Sequence, residues 1–199
     1  MSERGKLIVI SGPSGAGKST VVFKAIEGRD DVCFSTSVTT RKPRPGEVDG
    51  REYFFIDRER FTEMVAKDEL LEHAEYVSNC YGTPRAYVEE KLASGMNVML
   101  DIEIQGARQV HAKMPEAVMI FVVPPTLEEL RRRLEGRGTD TAEAIEGRLA
   151  RARQEYREAD FYDYIIVNDD IDVAAKELSA IMLAEHCRAA DRRDYLKTV

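Results

Sequence analysis

Residues 6–27 read KLIVISGPSGAGKSTVVFKAIE. KLIVIS (Lys6–Ser11) is a continuous apolar run, the pattern of a strand buried on both faces of a parallel sheet. GPSGAGKS (Gly12–Ser19) then satisfies G-x-x-x-x-G-K-[ST] in full. KSTVVFKAIE (Lys18–Glu27) carries apolar residues at helical spacing, and Gly28 suits a helix stop. A buried strand before the pattern and a helix after it are the context that makes it a phosphate-binding loop. Glycines let successive backbone N–H groups converge on phosphate oxygens, and the helix presents its positive dipole end. The candidate contacts are Gly12, Pro13, Ser14, Gly15, Ala16, Gly17, Lys18, Ser19 and Thr20. Lys18 is expected to reach the β- and γ-phosphates, and the Ser19 hydroxyl to sit on Mg²⁺. Asp101, at the end of NVML, is the natural acidic partner, orienting magnesium through its waters.

Working outward, strands and helices alternate with one interruption. DVCFSTSV (31–38) reads as a second strand. EYFFI (Glu52–Ile56), a helix over Arg58–Lys67, the strand LLEHAEYV (Leu70–Val77) and the turn NCYGTP follow. This region, about Ser35 to Pro84, is rich in short strands and turns and reads as an inserted lobe. The rhythm resumes with a helix at Tyr87–Ala93, the strand NVMLDI (Asn97–Ile102), a helix at Gly106–Lys113 and the strand AVMIFVV (Ala117–Val123). After Pro124-Pro125 comes a charged helical region interrupted at Gly136-Arg137-Gly138. YDYIIVN (Tyr162–Asn168) and a helix at Val173–Cys187 close the pattern. The expected fold class is α/β, a parallel core with two insertions.

Composition bounds what such a core can do. With 199 residues, 43% hydrophobic and 33% charged, the chain can bury one substantial core. A net charge of −7 argues against a general nucleic-acid coat or membrane-surface binder. No apolar run approaches the roughly 18 residues of a membrane span, and MSERGKLIVIS is too short in apolar residues for a signal peptide. Cys33, Cys80 and Cys187 are isolated and odd in number, so neither a disulfide framework nor a zinc site is expected, and a cytoplasmic setting is the default. His73, His111 and His186 are equally scattered and are assigned no chemistry.

A basic cluster stands out against that acidity. SVTTRKPRPGEVDGREYFF (37–55) holds Arg41, Lys42, Arg44 and Arg51. On composition alone it is a solvated basic loop. The phosphate loop itself specifies a nucleoside triphosphate, not a reaction. Neither an Asn-Lys-x-Asp base reader nor an Asp-x-x-Gly switch is found, which disfavours a GTPase, and a motor or helicase would need a larger chain.

FSTSVTTRKPRPGEVDGREYFF, ELLEHAEYVSNCYGTP, DIEIQGA, RLEGRGTD and IIVNDD together resemble the bacterial guanylate kinases over essentially the whole chain. The resemblance implies a P-loop NTPase three-layer core (1–34, 85–125 and 159–199), an inserted mixed α/β GMP-binding lobe (35–84) and a helical lid (126–158). It implies that Arg41, Arg44, Tyr53 and Tyr81 hold the GMP phosphate, where guanidinium forks suit a dianion and tyrosine hydroxyls add neutral donors. Glu72, with Ser37 and Thr83, would read guanine, whose adjacent N1–H and N2–H donors suit one carboxylate. Glu103 stands where many relatives have Asp near the base. Arg133, Arg137 and Arg148 fall on lid arginine positions and would neutralise charge on the transferring phosphoryl group. Without the resemblance they could equally be one charged helix face. Asn168 falls where the family approaches adenine.

The implied activity is Mg-dependent phosphoryl transfer between ATP and GMP or dGMP. Lys18, Arg41, Arg137 and Arg148 are its catalytic candidates. No nucleic-acid or membrane partner is expected, and the C-terminal tail could support a homo-oligomer. Two other readings stay open: a non-catalytic guanylate-kinase-like module that binds protein, and a P-loop kinase for another nucleotide.

Overall fold

The computed structural model describes residues 4–76, 78–136, 138 and 140–197. Nine strands are described: β1 (Leu7–Ser11), β2 (Val32–Phe34), β3 (Val38–Thr39), β4 (Phe54–Phe55), β5 (Leu70–Tyr76), β6 (Asn79–Pro84), β7 (Asn97–Asp101), β8 (Val118–Val123) and β9 (Tyr164–Val167). The helices are α1 (Lys18–Ala25), α2 (Arg58–Ala66), α3 (Arg85–Ala93), α4 (Ile104–Lys113), α5 (Leu127–Glu135), α6 (Ala142–Arg157), α7 (Ile171–His186) and the short α8 (Ala189–Arg192). One sheet runs β2-β7-β1-β8-β9, and a second runs β4-β3-β6-β5. All five residues of β1 are buried, as are Asn97–Leu100 of β7 and Val118–Val122 of β8, which explains their unbroken apolar runs. The fold class is therefore α/β with a parallel sheet, as expected.

The chain divides into two units, one of Met1–Val9 and Asp30–Ala117, the other of Ile10–Arg29 and Val118–Val199. In the first, β2 pairs in parallel with β7, Val32 opposite Asn97. The second sheet is mixed: β3 runs parallel to β4 and antiparallel to β6, and β6 antiparallel to β5. Val38, Phe61, Met64, Leu70 and Cys80 form its small core, with Phe54 and Ile56 against them. Phe61 and Met64 stand three apart on α2, whose first turn is capped by Asp57 accepting from the Arg60 amide at 2.7 Å.

Two expectations about this unit need correction. DVCFSTSV is not one strand. The chain makes its last bond to β7 through the Ser35 amide on the Met99 carbonyl (3.1 Å) and enters the second sheet at Val38. NCYGTP is not a turn but β6, bonded on both sides. The reversal lies before it, where Ser78 takes φ 62°. Gly82 serves close approach here, since a Cβ would stand 2.9 Å from both the Glu72 carbonyl oxygen and Leu70 Cδ1.

In the second unit β8 and β9 run parallel, Ile120 opposite Tyr164 through Val123 opposite Val167. Helix α1 packs on α7. Helices α5 and α6 close on Leu130, Leu134, Ile145, Leu149 and Ala152, with Leu127 beside them. Their apolar residues recur at three- and four-residue spacing, and Thr126 and Thr141 cap their first turns. Among the described residues no helix is long and apolar enough to cross a membrane.

Candidate functional site

The phosphate loop lies in the second unit and is shaped by two side chains distant in sequence. Gly17 adopts φ 86°, and a Cβ there would stand 2.3 Å from Asn168 Nδ2. Only glycine fits that position. The Asn168 amide donates to the Ala16 carbonyl at 2.8 Å and is buried in doing so. Helix α1 starts at Lys18 behind Gly17, which offers no side-chain cap to its leading amides. Lys18 Nζ donates to the Gly12 carbonyl at 2.7 Å, and Ser19 and Thr20 are exposed on the first turn.

The arginines of the charged helices α5 and α6 divide by their partners. Arg131 pairs with Glu146 (2.6 Å) and Arg132 with Glu129 (2.7 Å), the charged-face arrangement that composition alone suggests. Arg133 and Arg148 reach the loop instead. Arg133 donates to the Asn168 carbonyl at 2.8 Å and to the Ala16 carbonyl at 3.4 Å, while its Nε is held by Glu129 at 2.7 Å. Arg132 and Arg133 together pull the Glu129 carboxyl down to about 2. Arg148 donates to Ser14 Oγ at 2.6 Å and to Asp140 at 3.1 Å. Arg137 lies outside the described residues. Lys18, Ser14, Ala16, Arg133, Arg148 and Asn168 are thus brought together around one loop of backbone donors, an arrangement suited to a polyphosphate.

The first unit gathers the other candidates. Arg41 lies over the Tyr53 ring at 5.4 Å and the Phe55 ring at 5.8 Å, and Tyr53 packs edge-on against Tyr81 at 6.0 Å. One guanidinium nitrogen takes both oxygens of Glu47, at 2.8 and 3.0 Å, and the other donates to the Lys42 carbonyl at 2.9 Å. Glu47 also accepts the Arg44 amide at 2.7 Å. The Arg41 and Arg44 partners hold the Glu47 carboxyl below its ordinary range. Glu47 was missed by sequence reasoning; the only signal was a lone acid directly following the basic, proline-rich run.

Glu72 is 7% exposed on β5 and accepts from Thr83 Oγ1 at 2.7 Å, Thr83 being fully buried on β6. Burial pushes the Glu72 carboxyl up, against the lowering effects of Thr83 and Lys113. Ser37 is half-buried, with its carbonyl accepting the Phe54 amide at 2.9 Å. Arg44 is exposed in the basic loop, Glu103 is exposed at the start of α4, and Asp101 is exposed at the carboxyl end of β7. The same unit thus carries a group of cations, hydroxyls and aromatic rings and a buried carboxylate held by a hydroxyl. That chemistry suits an anionic ligand carrying a neutral donor edge.

A family model described as guanylate kinase matches residues 4–185. The chain is 53% identical over 188 residues to the guanylate kinase of Lactococcus lactis subsp. lactis (strain IL1403), covering 94% of this chain and 92% of that protein. It is 52% identical over 198 residues to the guanylate kinase of Bacillus anthracis, covering 98% and 96%. Among solved structures it is similar to the crystal structure of guanylate kinase from Anaplasma phagocytophilum, with TM-score 0.67 and 36% identity over 94% of this chain and 89% of that one. A match of this extent in sequence, together with the loop and carboxylate geometry above, makes the chain a member of the guanylate kinase family.

Proposed function

We propose that this chain is a guanylate kinase enzyme that transfers the γ-phosphoryl group of ATP to GMP or dGMP, reversibly, giving ADP and GDP or dGDP. The observation that carries the acceptor assignment is the buried Glu72–Thr83 pair. An ionised carboxylate accepts from both guanine N1–H and N2–H, while the Ser37 hydroxyl serves O6, the single O–H of Thr83 being spent on Glu72, with Glu103 nearby. Adenine presents an acceptor at N1 and would strand the carboxylate, the kind of mismatch that gives strong discrimination. In this reading the domains are the P-loop core, the lobe at 35–84 and the lid at 126–158.

The acceptor phosphate is held by Arg41, Arg44, Tyr53 and Tyr81, and the ATP phosphates by the loop amides and Lys18. Lys18 now rests on a carbonyl, and Arg148 on the Ser14 hydroxyl and the Asp140 carboxylate. Phosphate oxygens are stronger acceptors than a carbonyl or hydroxyl, so Lys18, and the Arg148 nitrogen now on Ser14, gain by turning to ATP. The attacking group is a phosphate oxygen of GMP, already anionic at neutral pH, so no general base is required. Catalysis reduces to aligning two phosphates and screening their repulsion, with Arg137 and Arg148 on the transferring group. Closure of lobe and lid excludes water from the transfer.

Magnesium supplies charge neutralisation on the β- and γ-phosphates when bound with ATP. The Ser19 hydroxyl and the Asp101 carboxylate, through water, would hold it, and both are the hard oxygen donors this ion takes. The reading places the enzyme in the cytoplasm, in purine nucleotide metabolism.

The test is ADP formation with a panel of monophosphates. Stimulation by GMP and dGMP but not AMP, CMP or UMP is expected, and no stimulation by GMP or dGMP overturns the assignment. A non-catalytic guanylate-kinase-like module that binds protein is disfavoured by the presence of Lys18, Ser19 and the arginines together.

A further inference from the structure

Strand β5 is the edge of the second sheet, so one side of its backbone has no strand partner. It also carries an irregularity. Leu70 lies opposite Pro84 and His73 opposite Gly82, so Leu71 and Glu72 together face Thr83. This extra residue is a β-bulge. It breaks the alternation of faces, and Leu70, Leu71 and Glu72 are buried in succession. The bulge is what sets the Glu72 carboxylate beside the Thr83 hydroxyl. It also weakens the ladder where Glu72 must be held still.

Helix α4 supplies the missing support. The Gln109 amide spans His73: its Oε1 accepts the His73 amide at 3.1 Å and its Nε2 donates to the His73 carbonyl at 3.0 Å. One side chain thereby does the work of a neighbouring strand. Lys113 donates to the Leu70 carbonyl at 2.7 Å and to Asp68 at 2.6 Å. At Gly106 a Cβ would stand 3.0 Å from Glu72 Oε2, so a side chain there would press on the carboxylate. Gly106, Gln109 and Lys113 follow at spacings of three and four, one stripe of α4 along the bulged edge.

We infer that Gln109 is a positioning residue for guanine recognition, its amide fixing the bulged strand that aims the Glu72 carboxylate. The inference rests on the proposed use of GMP. If the bulge drifts, Glu72 cannot meet both guanine donors at once, whereas the phosphate clamp is unaffected. Loss of Gln109 should therefore act on base reading alone.

The test is steady-state kinetics of Gln109→Met, which keeps the side-chain length and removes both hydrogen bonds. The GMP KM should rise roughly tenfold to a hundredfold, the scale of an ångström-sized misplacement. The ATP KM and the kcat at saturating GMP should stay within about twofold of wild type. The preference for GMP over IMP, which lacks the 2-amino donor, should narrow. Gln109→Glu retains an acceptor for the His73 amide but opposes the His73 carbonyl, so it should show the same selective rise should the Met variant not fold. In a double-mutant cycle with Glu72→Gln, the Gln109 change should add no further loss in GMP KM. Unchanged GMP KM in both variants, a proportional loss in both substrates, or additivity in the cycle would each overturn the inference. Failure of the wild-type chain to use GMP would instead remove the function itself, a distinguishable result.

Discussion

Glu72→Gln should damage catalysis and improve stability at the same time. The carboxylate has about four acceptor sites, and Thr83 Oγ1 uses one of them on Oε1. The glutamine keeps that bond through its carbonyl oxygen, which puts its NH₂ where Oε2 should accept from guanine. Two hydrogen bonds to a charged group are then weakened or reversed. At roughly 1.5–2 kcal/mol each, the lower half of the range for charged partners, the loss is about 3–4 kcal/mol, or 10²–10³-fold in kcat/KM for GMP.

Stability runs the other way. Burial raises the Glu72 carboxyl in the folded chain. Between its ordinary and raised values the folded state holds a proton that the unfolded state has released. Stability therefore falls as pH rises through that window, and the glutamine variant escapes the fall. Its Tm should exceed wild type at pH 8 and match it near pH 4. Affinity for GMP should weaken in acid more steeply for the wild type than for the variant, since both share the titration of the GMP phosphate but only the wild type also protonates this carboxyl. Coupled kinetics with GMP and ATP varied in turn, plus thermal melts at both pH values, measure all of this. Equal losses for both substrates, or a Tm below wild type at pH 8, would refute the reasoning.

Three further outcomes follow from other contacts. Glu47→Gln trades the paired charge on Arg41 for neutral hydrogen bonds, and GMP KM should rise about tenfold with ATP KM unchanged in steady-state assays. Arg148→Ala should lower kcat by about 10²–10³-fold, the usual consequence of removing one transition-state donor; single-turnover transfer that keeps its wild-type rate would contradict the role. Gly17→Ala forces a side chain into φ 86° against Asn168 and should cost at least about 1–2 kcal/mol in urea melts, with loss of ATP binding by calorimetry.

The central architecture was legible because its signals are local and redundant. KLIVIS, GPSGAGKS and the following helix reinforce one another, and β7 and β8 are buried too completely to be mistaken. The second sheet misled where one residue type serves two purposes. Asn79, Gly82 and Pro84 are turn formers by composition, yet they lie in a strand because Gly82 must let two backbones approach. Arg133 and Arg131 are indistinguishable in the charged run; only the fold turns one to the Ala16 carbonyl and the other to Glu146. Gln109 and Glu47 were illegible because each acts on the backbone or charge of another residue, and spacing carries no trace of that.

The hydrogen bond from Asn168 to the Ala16 carbonyl has a consequence for biosynthesis. The phosphate-loop motif is complete once Ser19 has been added, yet the partner that shapes its turn lies 152 residues beyond Ala16. At ribosomal speeds of about 5–20 residues per second, on the order of 10 s separates the two. During that interval the nascent chain carries the whole motif without its native brace. Capture of ATP should then await synthesis of Asn168, and fragments ending before it should leave nucleotide free even though their signature sequence is intact.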